Sequence, residues 1–247
     1  MDTKEKTEWF EDWFDTPYYH ILYKHRNYKE AESFIDKLIE YLNPSREARF
    51  LDLCCGKGRH SIYLNKKNLD VTGFDLSQKS IDAAKQYENN SLHFFVKDMR
   101  QDYYSKPFDY IVNLFTSFGY FENQEDNFAT IQAASKALTE DGVLVIDFLN
   151  IEKAKANLVK DEEITVEGIV FKINKRIENN FIKKRISFRD NEQEFCFEES
   201  VSTLRLCDFE KYCSAASLKI VDVKGDYSLN DFNLANSDRL IIIAKKK

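Results

Sequence analysis

This sequence predicts an α/β fold, a mainly parallel sheet with helices on both faces. Three observations predict it. Short apolar runs alternate with segments of helical spacing from residue 28 to residue 148, and buried parallel strands read as continuous apolar runs. One run, Phe50-Leu51-Asp52-Leu53, leads into the turn Cys54-Cys55-Gly56-Lys57-Gly58 and then into His60-Ser61-Ile62-Tyr63-Leu64. Strand, glycine turn and helix start in that order let a backbone approach a polar ligand closely. Finally, 247 residues with 43% hydrophobic content suffice for one packed domain with a modest insertion.

Taken in order, residues 1–27 are crowded with Trp9, Phe10, Trp13, Phe14, Tyr18, Tyr19 and Tyr23. They read either as a helix that packs its apolar face on the domain or as a lid over a ligand, and one segment can do both. From Tyr28 to Leu42 the apolar residues Ala31, Phe34, Ile35, Leu38, Ile39 and Leu42 fall at helical intervals, and Asn43-Pro44-Ser45 ends the helix. Strands follow over 49–53, 70–74, 92–96, 108–114 and 143–148, with helices over 58–66, 77–88 and 125–138 between them. Ser77 is placed to cap the second of these helices, and Asp141-Gly142 predicts a turn before the fifth strand.

From about 160 to 204 polar and apolar residues alternate. Ile164 to Ile173 opens the run, Asn179-Asn180 marks a turn, and 181–188 and 194–204 read as further strands. This predicts an inserted antiparallel sheet with one wet face. The α/β pattern then resumes with a helix over 208–216 and strands over 219–223 and 239–244. The organisation expected is one domain over 1–247, with a helical lid segment at 1–43 and the inserted sheet at 160–204.

In such sheets ligands sit beyond the carboxyl ends of the strands, where Asp52, Asp75, Asp98 and Asn113 fall. A dinucleotide fingerprint requires G-x-G-x-x-G, but the third position after Gly56 and Gly58 is Ser61. The pattern present is D-x-x-C-G-x-G, with Asp52 four residues before Gly56 and a second acid, Asp75, closing the next apolar run. This resembles motif I of the class I S-adenosylmethionine-dependent methyltransferases, with Cys54 where the family usually has glycine. The terminal strand order and the inserted sheet resemble the small-molecule group that includes glycine N-methyltransferase, over residues 18–245.

The resemblance implies a Rossmann-like, seven-stranded, mainly parallel sheet and S-adenosyl-L-methionine as cofactor. It implies that the backbone at Cys54, Gly56 and Gly58 faces the methionine moiety while Asp52 orients the turn. Asp75 would take the ribose hydroxyls. Asp98, Met99 and Leu76 would frame the adenine, and Asn113 with Leu114 would flank the methionine amino group. Arg26, with Tyr18 or Tyr19, would clamp the carboxylate, since an arginine fork suits one. Methyl transfer is an in-line displacement from a sulfonium, to which alignment contributes heavily. A base is needed only for a protonated acceptor; of His20, His25, His60, His93 and Tyr120, His93 at the start of a strand and His60 in the first helix after the glycine turn read as structural, Tyr120 and His20 remain as candidates, and the base itself is not identified. The segment 116–121 lies where the family meets its acceptor, and Phe118, Tyr120 and Phe121 wall an apolar pocket, cage a cation or simply pack the loop.

Net charge is −6, which speaks against a nucleic-acid substrate. The basic cluster Lys172, Lys175, Arg176, Lys183, Lys184, Arg185 and Arg189 reads as solvated strand faces. Five cysteines show neither a disulfide framework nor a metal-ligand spacing. The N-terminus is not a secretory signal and no apolar run reaches membrane-span length, so the expected place is the cytoplasm. The function expected is methyl transfer to a small-molecule acceptor. The alternatives are a non-catalytic cofactor-binding module or an enzyme acting on protein or nucleic acid. A nicotinamide dehydrogenase is disfavoured by Ser61 and by the antiparallel ending.

Overall fold

The computed structural model describes residues 9–24, 28–102 and 106–247. In chain order the first elements are α1 (Trp9–Phe14), α2 (Pro17–Leu22), α3 (Tyr28–Leu42), β1 (Arg49–Leu53), α4 (Arg59–Lys66), β2 (Asp70–Asp75), α5 (Gln78–Ala84) and β3 (Leu92–Val96). Then come β4 (Phe108–Asn113), α6 (Gln124–Ala137), β5 (Leu138–Leu149), α7 (Ile151–Ala156), β6 (Asp161–Val166), β7 (Ile169–Glu178), β8 (Phe181–Asp190) and β9 (Gln193–Ser202). The last are α8 (Leu206–Ala215), β10 (Leu218–Lys224) and β11 (Arg239–Lys246). They form two compact units, residues 9–24 with 157–203, and residues 28–156 with 204–247.

The larger unit is a seven-stranded sheet in the order β10-β11-β5-β4-β1-β2-β3. β1 to β5 run parallel, while β11 lies antiparallel to both β5 and β10. This is the expected architecture. On one face Phe50, Val71, Val112, Val145, Ile241 and Ile243 pack with Phe34, Ile35 and Leu38 of α3, Leu64 of α4 and Ile81 of α5. On the other face Phe209 of α8 meets Phe148 and Phe118, with ring centroids 5.5 Å apart in each pair. Covered on both sides, the strands carry apolar residues at consecutive positions, which made them legible as runs.

Local differences from the sequence reading have identifiable causes. The helix expected over 77–88 is α5 followed by a 3₁₀ turn over Lys85–Tyr87. Ser77 does cap it, its hydroxyl accepting from Ser80 N–H at 3.0 Å. The turn expected at Asp141-Gly142 is an irregularity inside β5, where Phe108 pairs with Leu138 but Tyr110 pairs with Val143. α7 is a short helix that the sequence reading passed over.

In the smaller unit the order is β6-β7-β8-β9, all antiparallel. There are four strands where three were read, because Glu167-Gly168 is a two-residue hairpin turn. Glu167 and Gly168, Asn179 and Asn180, and Asn191 and Glu192 all have positive φ between 46° and 83°, as turns matched to strand twist require. The aromatic N-terminal segment is two short helices. Thr16 caps α2, accepting from Tyr19 N–H at 3.1 Å, and Pro17 takes the first helical position.

Trp13 and Leu22 are buried against Val166, Phe171, Ile173, Ile186 and Phe188 of the four-stranded sheet. The Trp13 indole N–H donates to Glu199 at 2.8 Å, and the Tyr23 hydroxyl donates to the same carboxylate at 2.6 Å. The basic cluster lies on this sheet beside acids. Lys175 pairs with Glu162 at 2.5 Å, Arg176 with Glu198 at 2.8 Å, Lys183 with Glu178 at 3.4 Å and Lys184 with Glu199 at 3.8 Å.

Trp13→Ala is expected to lower the stability of this unit by about 3–5 kcal/mol, the range for losing a buried large aromatic. Denaturant unfolding reads the loss. Faster proteolysis before residue 24 reads the release of the helices from the sheet.

Candidate active site

β1 and β4 are neighbours, yet the chain runs outward through β2 and β3 before it returns to β4. The crevice at their carboxyl ends is therefore the topological switch point, where open α/β sheets take ligands. Asp52 lies in β1, Asp75 ends β2, Asp98 and Met99 follow β3, and Asn113 ends β4.

The turn after β1 is built on backbone hydrogen bonds. Cys55 N–H donates to Phe74 O at 2.8 Å, Gly58 N–H to Cys55 O at 2.9 Å, and Gly56 N–H to Asp75 Oδ2 at 2.8 Å. The second Asp75 oxygen accepts from Ser77 N–H at 2.9 Å. Cys54, Gly56 and Gly58 hold left-handed φ values of 60°, 55° and 80°. The two glycines serve different ends. A Cβ on Gly58 would lie 2.6 Å from the Phe94 ring, whereas one on Gly56 would meet nothing within 4 Å. Gly58 lets the turn pack; Gly56 presents bare backbone to open space beside a carboxylate.

Asp52 is buried and accepts from the Ser61 hydroxyl at 2.6 Å. Ser61, marked in the sequence only as a missing glycine, thus anchors the acid beneath the turn. Burial raises the Asp52 carboxyl to about 7; the Ser61 hydrogen bond opposes the rise and the nearby Asp75 charge adds to it. Burial raises the Cys54 and Cys55 thiols well above the ordinary range, which favours their protonated form. The Cys54 thiol donates to Met99 Sδ at 3.3 Å.

Asn113 is buried, and its amide N–H₂ donates to Leu53 O at 3.1 Å and Ser117 O at 3.4 Å. Its Oδ1 is buried with no donor among the described residues. A buried acceptor left so is costly, and a ligand ammonium would satisfy it. Asp98 is held by Arg100, whose backbone N–H donates at 2.8 Å and whose guanidinium donates at 2.6–3.0 Å. Leu76 is 37% exposed at the end of β2, and Leu114 is buried in the core.

The segment 116–121 is mostly loop packing. Phe118 and Phe121 are buried, Arg100 lies 4.6 Å over the Phe121 ring, and the Tyr120 hydroxyl donates to Thr116 O at 2.6 Å. His60 is buried; burial and then the Arg59 charge lower it to about 3. It stays neutral, its ring stacked 4.9 Å from Phe115, and His93 is exposed on β3. Tyr18, Tyr19 and His20 lie on α2 in the other unit, where the Tyr18 hydroxyl donates to Asp190 at 2.9 Å and Tyr19 rings Trp13 and Phe14. Arg26 and His25 lie outside the described residues.

A domain family described as "Methyltransferase domain" matches residues 50–142. Over 164 residues the chain is 30% identical to an uncharacterized methyltransferase of Staphylococcus carnosus (strain TM300), a match covering 63% of this chain and 74% of that one. The chain belongs to the class I S-adenosylmethionine-dependent methyltransferases. It spans about half the length (51%) of another curated relative, YqeM of Bacillus subtilis (strain 168), which carries a methyltransferase name and is 30% identical over 132 residues, 52% of this chain. The glycine/sarcosine N-methyltransferase of Halorhodospira halochloris is 28% identical over 130 residues, 49% of this chain and 47% of that one. A crystal structure of an S-adenosylmethionine-dependent methyltransferase from Clostridium acetobutylicum superposes with a TM-score of 0.78 at 23% identity, covering 93% of this chain and 96% of that one. The cofactor of the family is S-adenosylmethionine. No helix among the described residues is long and apolar enough to cross a membrane.

Asp52 carries a testable signature. Its folded value of about 7 stands above the ordinary 3.8, so the folded protein binds a proton the unfolded chain releases. Its contribution is present in full below about 4 and is lost as pH rises through 7. His60, lowered to about 3, acts in the opposite sense, losing stability as pH falls below 6.5. The difference between Asp52→Asn and the natural protein isolates the first effect. Relative to the natural protein, the variant is expected to gain stability from pH 4 to pH 7, at up to about 1.4 kcal/mol per pH unit, measured by denaturant midpoints.

Proposed function

We propose that this chain transfers the methyl group of S-adenosylmethionine to a small-molecule acceptor. The observation that carries the reading is the Gly56 turn, whose left-handed backbone opens onto empty space while its N–H is pinned to Asp75. Asp75 would accept from the two ribose hydroxyls, since a carboxylate oxygen takes more than one donor. The backbone over Cys54–Gly58 would lie along the methionine arm, and Asn113 Oδ1 would accept from its ammonium. Met99 and Leu76 would flank the adenine, with Asp98 fixed beside it by Arg100. Asp52 would reinforce the site electrostatically, because its ionised form favours the cationic cofactor. When bound, the cofactor supplies an activated methyl group on a leaving group that needs no protonation. The chain's contribution is alignment and exclusion of water, and a neutral amine acceptor would need no base from it.

A small acceptor is supported by the match to a glycine/sarcosine N-methyltransferase. The net charge of −6 and the pairing of Lys175, Arg176, Lys183 and Lys184 with acids argue against a nucleic-acid surface, which needs unpaired cations. Five free cysteines suit a reducing compartment such as the cytoplasm.

Calorimetry with S-adenosylmethionine, S-adenosylhomocysteine and NAD tests the cofactor half, with binding expected for the first two and none for NAD. Asp75→Ala is expected to weaken cofactor binding by about 1–3 kcal/mol, the cost of leaving buried polar groups unpaired; unchanged affinity removes Asp75 from the site. Radiolabelled methyl transfer to a panel of small amines tests the acceptor half. Salt-sensitive binding of tRNA or duplex DNA at micromolar concentration or below, with no transfer to the panel, overturns it.

A further inference from the structure

At the end of β4 two successive residues other than glycine, Phe115 and Thr116, hold left-handed φ values of 57° and 60°. Single residues visit this region; a β-branched residue there, next to another, persists only where its surroundings impose it. The surroundings here are one buried carboxylate. Asp147 of β5 is wholly buried. Its Oδ2 accepts from Phe115 N–H at 2.8 Å, and its backbone O accepts from Thr116 N–H at 3.0 Å.

Asp147 is fixed in turn by Arg239 of β11, whose Nε donates to Oδ1 at 2.7 Å and whose Nη2 donates to Thr116 Oγ1 at 2.8 Å. The Tyr227 hydroxyl completes the set, donating to Oδ2 at 3.2 Å while its ring stacks 5.0 Å from Phe115. Burial, then the Asp147 charge, raises that phenol, which keeps it a donor. One side of the turn is thus gripped from β5 and β11.

The other side faces the glycine turn. The Phe115 ring stacks on His60 at the start of α4, with the Arg59 guanidinium 4.8 Å over it. Downstream, Ser117 O accepts from the Asn113 amide and Thr116 O accepts from Tyr120. Orphaned Asn113 Oδ1 stands directly before the turn.

We propose that Asp147, held by Arg239, is a positioning residue for the methionine end of the cofactor site. It forces the Phe115–Thr116 pair into the left-handed turn that sets Asn113 and the 116–121 segment against the start of α4. It touches no cofactor atom in this role and acts through the backbone it grips. The assignment rests on the S-adenosylmethionine reading above.

The test separates the two ends of the ligand. Calorimetry compares S-adenosylhomocysteine with 5′-methylthioadenosine, which keeps the adenosine and lacks the amino-acid arm. Asp147→Asn is expected to weaken S-adenosylhomocysteine at least tenfold and to leave methylthioadenosine within twofold. Adding Thr116→Gly to Asp147→Asn is expected to recover much of the loss, because glycine adopts the left-handed turn without being forced. If Asp147→Asn does not fold, Tyr227→Phe removes one donor to the carboxylate, leaves the ion pair, and is expected to shift the same ratio by a smaller factor. Equal weakening of both ligands, or no weakening of either, overturns the proposal and leaves the cofactor reading standing. A natural protein that binds neither ligand overturns both.

Discussion

The hydrogen bond from Gly56 N–H to the Asp75 carboxylate, 2.8 Å long, is the constraint on which the candidate site depends. It ties the turn after β1 to the end of β2 and so fixes where the bare backbone of Gly56 faces. The neighbouring bond from Cys55 N–H to Phe74 O continues the parallel pairing of the two strands one step past the strand end. The turn is therefore an extension of the sheet and shares its rigidity, as a preformed ligand cradle requires. Beneath it Asp52 and Ser61 link β1 to α4 inside the core, so strand, turn and helix are tied together by side-chain as well as backbone hydrogen bonds.

Acids crowd this cradle. Burial above all, and then the charges of Asp75, Asp52 and Asp98, raises the Cys54 thiol and keeps it protonated. Cys54 holds a left-handed φ of 60°, and its protonated thiol donates to Met99 Sδ at 3.3 Å. Burial first, and then the Asp75 charge, raises Asp52, and on the proposed reading a ligand that brings positive charge would relieve this crowding. Sulfonium and ammonium both meet that need.

Much of this was legible in the sequence for a physical reason. Buried parallel strands must be apolar throughout, and a glycine turn between strand and helix has few alternatives, so β1 to β5, Asp52, Gly56, Gly58 and Asp75 could be read directly. Residues whose role depends on distant partners were not legible. Asp147 and Arg239 are 92 positions apart, and nothing local marks either as one half of an ion pair. Glu167-Gly168 was read through because a glutamate is an uncommon first residue for such a turn, although the inward face shifts there from Ile164 and Val166 to Ile169, Phe171 and Ile173. Phe118 and Phe121 carried an ambiguous signal, since an aromatic loop packs inward as readily as it lines a pocket; burial decided for packing. Residues 1–27 were expected to form one helix, and Thr16-Pro17, a cap and helix start that the aromatic pattern overshadowed, divides the described part into two.

Whether the Gly56–Asp75 cradle receives the cofactor is decided by a crystal structure of the complex with S-adenosylhomocysteine. Both ribose hydroxyls are expected within about 2.6–3.2 Å of the Asp75 carboxylate, the amino group at Asn113 Oδ1, and the adenine beside Met99. A ligand bound away from the switch point, or one whose ribose lies out of reach of Asp75, would contradict that placement.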